Sequence, residues 1–190
     1  MNILPLQTSS FVYEHLFDSP KNLSKIKHFT VANESGLGLV SYLNNVAPSD
    51  EEDNSARTYI IKDNETDEIA GYFSLRAGLF TINIEDDYFY SVPAAELSNF
   101  AVNDSYRKKH PYRKNLGSTI FYEFVLPLVH YLKDFIGIQA VYIYALPQDR
   151  LIDHYGTMGF LRLSEEDEKF VHEHVKPKYD DTCIFMYQML

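Results

Sequence analysis

Apolar and polar positions along this chain fall into blocks whose period switches between that of a helix and that of a strand. Ser19-Pro20, a capping residue followed by proline at a first helical position, predicts a helix running to about Thr30. A second short helix is expected over Leu37–Asn45. Arg57–Lys62 and Ile69–Leu75 read as strands joined by the polar turn Asp63–Glu68. The aromatic-rich stretch Gly78–Pro93 reads as a long connection leading into a strand over Glu96–Val102. After a polar, basic interval, helical periodicity resumes from Ser118 to about Phe135, with a kink expected near Pro127 because proline removes one backbone bond. Val141–Ala145 is a buried strand by pattern, Gln148–Met158 a helix, and Phe160–Leu163 and Cys183–Met189 two further strands. Helices and strands in this order predict a mixed α/β layer with helices packed on a sheet.

At 190 residues the chain is expected to be a single domain, 1–190, with a substantial core. Fifteen Tyr, 13 Phe and a 45% hydrophobic content exclude a disordered chain. The lone Cys183 allows no intrachain disulfide and suits a reducing compartment. The N-terminal MNILPLQTSS lacks the basic flank and apolar run of a signal peptide. Thr119–Leu132, the most apolar segment, is interrupted by Glu123, Pro127 and His130 and is too short to span a bilayer. A soluble cytoplasmic protein with no membrane contact is expected.

The net charge of −10 makes one interval stand out: five Lys or Arg within eight residues, Arg107, Lys108, Lys109, Arg113 and Lys114. They precede Asn115-Leu116-Gly117-Ser118 and then the long helix. A basic run is most often a solvated loop. Between a strand and a helix start, however, such a run joins the outward-facing amides and dipole of the helix to make a site for an anion, foremost a phosphate. Asn115 tolerates the left-handed conformation, Gly117 permits close approach, and Ser118 is expected to cap the helix. Neither a Walker loop nor a three-glycine dinucleotide fingerprint is present.

Several segments together resemble the GNAT superfamily of acyl-CoA-dependent N-acyltransferases. Glu96-Leu-Ser-Asn-Phe-Ala-Val102 is similar to that family's fourth strand, and Asn103-Asp-Ser-Tyr106-Arg107 to its D-P-x-Y-R exit. Lys114-Asn115-Leu116-Gly117-Ser118 resembles the end of its pyrophosphate loop, and His154-Tyr155-Gly156-Thr157-Met158-Gly159-Phe160 its F-Y-x-x-x-G-F motif. The chain departs from the pattern in two places. Asn115 stands where the first glycine of the loop is usual, and Lys108–Arg113 is longer than usual. The resemblance implies a mixed, mostly antiparallel central sheet with helices on both faces. It also implies acetyl-CoA as cosubstrate, its pantetheine along Phe100, Ala101 and Val102 and its pyrophosphate on the amides of Leu116, Gly117, Ser118 and Thr119. Arg107, Arg113 and Lys114 would assist the phosphates, and Gln148 would lie near a pantetheine contact.

The implied reaction is direct attack of an amine on the thioester, with Glu96 as candidate base through water and Tyr155 as candidate acid. A tyrosine with a reference pKa near 10 is protonated at neutral pH and can supply a departing thiolate, whose reference value is about 8.5. Alternation places Glu96, Ser98, Phe100 and Val102 on one strand face. The expected activity is N-acetyl transfer to a primary amine of a small molecule or peptide, by a monomer or homodimer. Nucleic acid is disfavoured as a partner by the acidic charge. Two rivals remain: a non-catalytic CoA-binding module, and a toxin-type aminoacyl-tRNA acetyltransferase, against which the same charge counts. The acidic patches Asp50–Asp53 and Glu165–Glu168 are expected in solvated loops, and no metal is expected, since His172-Glu173-His174 with Cys183 has no ligand spacing.

Overall fold

A strand that the patterning does not reveal opens the fold: β1 (Phe11–His15). Only Phe11 in it is fully buried, and a five-residue run ending in Glu14 and His15 has too little alternation to register as period two. The computed structural model describes residues 8, 10–85, 88–174 and 182–190. The chain divides into two compact units, Met1–Arg76 with Asn99–Leu128 and Ala77–Ser98 with Val129–Leu190.

In the first unit, α1 (Pro20–Lys25) starts as expected, with the Ser19 hydroxyl accepting from the Lys21 N–H, and tightens into a 3-10 turn over Ile26–His28. The helix expected over Leu37–Asn45 is longer. It runs as α2 (Leu37–Ser41), a π turn (Tyr42–Val46) and α3 (Ala47–Glu52). Pro48 falls in the first turn of α3, where no N–H is required, so the proline that suggests a break is accommodated. The patch Asp50–Asp53 is therefore largely helical and not a solvated loop.

The strand β2 (Arg57–Asp63) pairs antiparallel with β1 on one side and β3 (Ile69–Glu85) on the other. Ile60 and Tyr72 are register partners and share a core with Leu16, Ile26, Phe29, Leu43 and Ala47. Ile61 and Gly71, also partners, turn to the opposite face. The fourth strand, β4 (Tyr88–Val102), leads into α4 (Asp104–Lys109), then α5 (Leu116–Ile120). A Cβ on Gly71 would lie 2.6 Å from Ile120 Cδ1 and 2.8 Å from the Ala101 carbonyl oxygen, so glycine is what lets the long helix approach here. That helix continues through a π turn (Phe121–Val125) into α6 (Leu126–Lys133). The irregularity expected at Pro127 is thus a π turn immediately before it.

Glu51 ties this unit together from α3. Its Oε2 lies 2.8 Å from His15 Nε2 and 3.0 Å from Arg57 Nη1, and its Oε1 accepts from the Thr58 N–H. Burial alone would raise this carboxyl, but the His15 and Thr58 hydrogen bonds and the Arg57 charge outweigh it and hold it below the usual range. Glu51→Gln keeps the shape and removes the charge. It is expected to lower stability by about 2 kcal/mol, or the melting temperature by about 4–8 °C. A depressed carboxyl stabilises above its unfolded value and is lost as pH falls through the folded one. Thermal melts should therefore show the difference between wild type and variant closing in acid.

In the second unit, Gly78–Pro93 is strand on both sides of residues 86 and 87, because β3 and β4 are neighbours in the sheet. Phe80, Val92, Ala94, Val171 and Phe185 form its core with Ala140 and Tyr142. Those two residues belong to β5 (Ala140–Ala145), which runs parallel to β4 in the register Ala94↔Ala140, Ala95↔Val141, Glu96↔Tyr142. After α7 (Asp149–Thr157), the short β6 (Leu161–Arg162) and α8 (Glu165–His174) precede β7 (Ile184–Met189), antiparallel to both β5 and β6. The patch Glu165–Glu168 is the first turn of α8, not a loop. Four carboxylates there complement the helix dipole, and the Ser164 hydroxyl accepts from the Asp167 N–H at 3.1 Å.

The seven strands are ordered β1-β2-β3-β4-β5-β7-β6, mostly antiparallel, as the resemblance implies. Among the described residues no helix is long and apolar enough to cross a membrane, and no cluster of His, Cys, Asp or Glu could hold a metal ion.

Candidate functional site

The basic interval is half helix. Asn103, buried at the end of β4, accepts from Ser105 N–H at 3.2 Å and from Thr30 N–H at 3.3 Å, and donates through Nδ2 to the Ile69 carbonyl at 2.7 Å. This cap starts α4 and converts Arg107, Lys108 and Lys109 from loop into helix. Arg107 and Lys108 pair with Asp104 at 2.7 and 2.6 Å but stay largely exposed, a contact worth under about 1 kcal/mol and open to exchange with an anion. Lys109 pairs with Glu68, as does His110 at 2.9 Å.

Arg113, expected among the phosphate contacts, is held by partners on two strands and before the first of them, while it lines the same cavity as Lys114. Its Nη1 donates to Ser10 Oγ at 2.6 Å, its Nη2 lies 3.7 Å from Asp63 Oδ2, and its guanidinium sits 5.1 Å above the Phe11 ring. A carboxylate at the end of β2 and an aromatic face on β1 together outcompete solvent for it. Lys114, in contrast, is exposed and makes no ion pair among the described residues.

Asn115 adopts the left-handed conformation, φ 54° and ψ 32°, and is itself the N-cap of α5. Ser118 is not the cap; it is the third helical residue. Thr119 also departs from expectation, since its N–H is committed to the Asn115 carbonyl at 2.9 Å. The outward amides of the helix start are those of Leu116, Gly117 and Ser118. Lys114, Leu116 and Thr119 line a cavity of about 290 Å³ with Ser10 and Arg113. In the same unit, Phe100 and Val102 are half-buried on the last turns of β4, while Ala101 is buried with its carbonyl against Gly71. A larger groove of about 850 Å³, between Lys25, Lys27 and His28 on one wall and Glu68, Ser105 and Lys109 on the other, has no signature in the sequence.

The second unit holds the two candidate proton-transfer groups. Glu96 is buried on β4 and accepts a hydrogen bond from Tyr142 Oη at 3.0 Å. The two residues are direct register partners on neighbouring strands, so their side chains share a face. Tyr142, the partner of this candidate base, is a candidate site residue that the sequence reading missed. Its signal is the alternation Tyr142, Tyr144 in an otherwise apolar strand, since a buried tyrosine needs a partner for its hydroxyl. A Cβ on Gly78 would lie 2.3 Å from Tyr142 Oη, so that glycine keeps room for the phenol.

Tyr155 is buried on α7 with Phe160 edge-on to its ring at 5.7 Å. Burial pushes its phenol well above the ordinary value of 10. The neighbouring His154 is held below its usual value by burial, with Arg150 adding to it, which favours the neutral imidazole. Helix α7 ends at Thr157, and Gly159 follows at φ +92°, a conformation that suits glycine alone. Gln148 is exposed at the N-cap of α7; its carbonyl takes the Leu151 and Ile152 amides, and its side chain makes no cap bond.

Neither a family model nor a curated protein matches the chain. Solved structures do. A tyrosine-to-phenylalanine mutant of the AtaT toxin, bound to the C-terminus of the antitoxin AtaR and acetyl-CoA, is similar at a TM-score of 0.67 and 17% identity, over 94% of this chain and 92% of that one. AtaT complexed with acetyl-methionyl-tRNAfMet gives 0.66 at 17% identity over 92% and 93%. The KacTA–DNA complex gives 0.65 at 17% identity over 94% and 92%. At these identities the likeness establishes the fold, which is the GNAT type.

The comparison corrects one expectation. Net charge does not disfavour nucleic acid or confine the acceptor to a small molecule or peptide, because proteins of this fold are solved with tRNA and with DNA. The charge of this chain is also uneven: the first unit carries eleven Lys and Arg against thirteen Asp and Glu, the second six against fourteen, so most of the negative excess lies in the second. A whole-chain sum hides a region that an anion can approach.

Proposed function

We propose that this chain is an acetyl-CoA-dependent N-acetyltransferase whose acceptor is the amine of an aminoacyl-tRNA. The observation that carries the proposal is the start of α5, where left-handed Asn115 turns the amides of Leu116, Gly117 and Ser118 outward beside Lys114, which is exposed and makes no ion pair among the described residues. In a protein of this fold, that is a place for the diphosphate of coenzyme A. Asn115 supplies the backbone shape that a glycine usually supplies in the loop. The pantetheine would run along Phe100, Ala101 and Val102. Acetyl-CoA and acetyl-methionyl-tRNAfMet in the similar AtaT structures support both the donor and the acceptor class. A cytoplasmic location agrees with such an acceptor.

In the proposed reaction the uncharged amine attacks the thioester carbonyl carbon. The tetrahedral adduct collapses to an amide and releases the thiolate of CoA. Glu96 takes the proton that the amine loses, through water, with Tyr142 fixing the carboxylate by its hydrogen bond. Tyr155 gives a proton to the departing sulfur. Both roles are general acid–base catalysis by positioned groups.

The test supplies acetyl-labelled acetyl-CoA to aminoacylated tRNA, deacylated tRNA and free amino acids in parallel, while thiol release is followed. Label is expected in the aminoacylated tRNA alone, matched by released thiol. A chain that binds CoA yet labels none of them would be a non-catalytic CoA-binding module, and the proposal would fall.

A further inference from the structure

The turn between β2 and β3 grips the basic interval at two points. Glu68, at its end, holds His110 and Lys109. Asp63, at its start, is 2% exposed and holds four groups at once. Its Oδ1 accepts the Glu65 N–H at 2.8 Å and the Thr66 N–H at 3.1 Å, and its Oδ2 accepts from Tyr106 Oη and faces Arg113 Nη2 at 3.7 Å. Tyr106 in turn stacks on His110 with ring centroids 4.2 Å apart, which joins the two grips. Arg113 is further fixed by Ser10 and by the Phe11 ring, and it stands two residues before the left-handed Asn115.

We infer that Asp63 is a positioning residue for the cofactor loop, acting through Tyr106 and Arg113 to set the turn from which the amides of Leu116, Gly117 and Ser118 project. Arg113 is on this account an anchor and not a phosphate ligand. The inference rests on the reading of the α5 start as the diphosphate site, and it adds to that reading a residue 52 positions earlier in the chain whose side chain touches no cofactor.

The sign of the effect separates the two roles for Arg113. If Asp63 positions the loop, removing its charge loosens the turn and weakens CoA binding. If instead Asp63 merely holds back a phosphate-binding arginine, removing its charge frees Arg113 and tightens binding. Asp63→Asn keeps the shape and the acceptor for the turn amides, and Tyr106→Phe removes a single hydrogen bond while keeping the packing.

Calorimetric titration with CoA, at a temperature where each variant is fully folded, is expected to show Kd raised about tenfold in Asp63→Asn and less in Tyr106→Phe. Amide hydrogen exchange without CoA should be faster over residues 111–119 in both variants and unchanged over β1. Faster exchange there together with an unchanged or lowered Kd would overturn the inference, as would unchanged exchange. A wild type that fails to bind CoA would remove the diphosphate reading instead. The exchange measurement would then decide the positioning of the turn alone.

Discussion

Tyr155→Phe is expected to lower turnover by at least tenfold, within the ~10²–10⁴ that a positioned acid typically contributes, while the Kd for CoA changes less than about twofold. The phenol sits buried on α7 with the Phe160 ring edge-on to its own, and burial, the cause of its raised pKa, disfavours the phenolate. A phenol so placed stays protonated well above neutral pH. It can serve the thiolate, whose ordinary value lies near 8.5, but it cannot serve as a base. The sign of the pH dependence follows. No alkaline loss of rate assignable to Tyr155 should occur up to pH 10 in the wild type, because its folded value lies above the ordinary one. Single-turnover rates across pH 6–10, for wild type and Tyr155→Phe, check both statements. Equal rates in the two proteins would return Tyr155 to plain packing.

Ser118→Asp is expected to move stability and binding in opposite directions. Ser118 is the third residue of the helix that starts after Asn115, a position at which a carboxylate faces the positive end of the dipole. Stability should therefore hold or rise, by about 0.3–1 kcal/mol. The same carboxylate would stand beside the bound diphosphate. Two like charges about 5 Å apart at an effective dielectric near 20 repel by about 3 kcal/mol, so Kd for CoA should rise by at least about a hundredfold. Thermal melts and calorimetry on the same preparation read both effects. A variant that is stabilised and still binds CoA as tightly would move the diphosphate away from this helix end.

The sequence disclosed the elements whose side chains alternate or recur over enough residues. Strands over 57–62, 141–145 and 184–189 and the helix over 149–157 were legible for that reason. The left-handed Asn115 was legible because few residue types tolerate that conformation. What stayed hidden depended on partners distant in sequence. Arg107–Lys109 read as loop because the Asn103 cap draws on Thr30 and Ile69. The partners of Arg113 stayed hidden because nothing local announces Asp63, Ser10 and Phe11 as its neighbours. Gly78 and Pro93 looked like boundaries of a connection. In the fold, Gly78 makes room for the Tyr142 phenol, and the Pro93 carbonyl accepts from the Gln139 N–H at 2.8 Å. The resemblance carried Glu96 and Tyr155, whereas Tyr142 emerged only from the register of β4 against β5.

That register has a consequence for how such a protein can vary over time. Glu96 and Tyr142 face each other because the backbone ladder puts them opposite, and the 45 residues between them in the chain play no part in their alignment. Insertions or deletions in that intervening stretch, outside the paired positions, leave the carboxylate aimed as before. A single residue gained or lost inside either strand would invert the facing of every side chain beyond it and present a neighbour such as Leu97 or Ile143 in place of Glu96 or Tyr142. Lineages of this protein should accordingly differ freely in the length of that stretch and hold the spacing within the two strands constant.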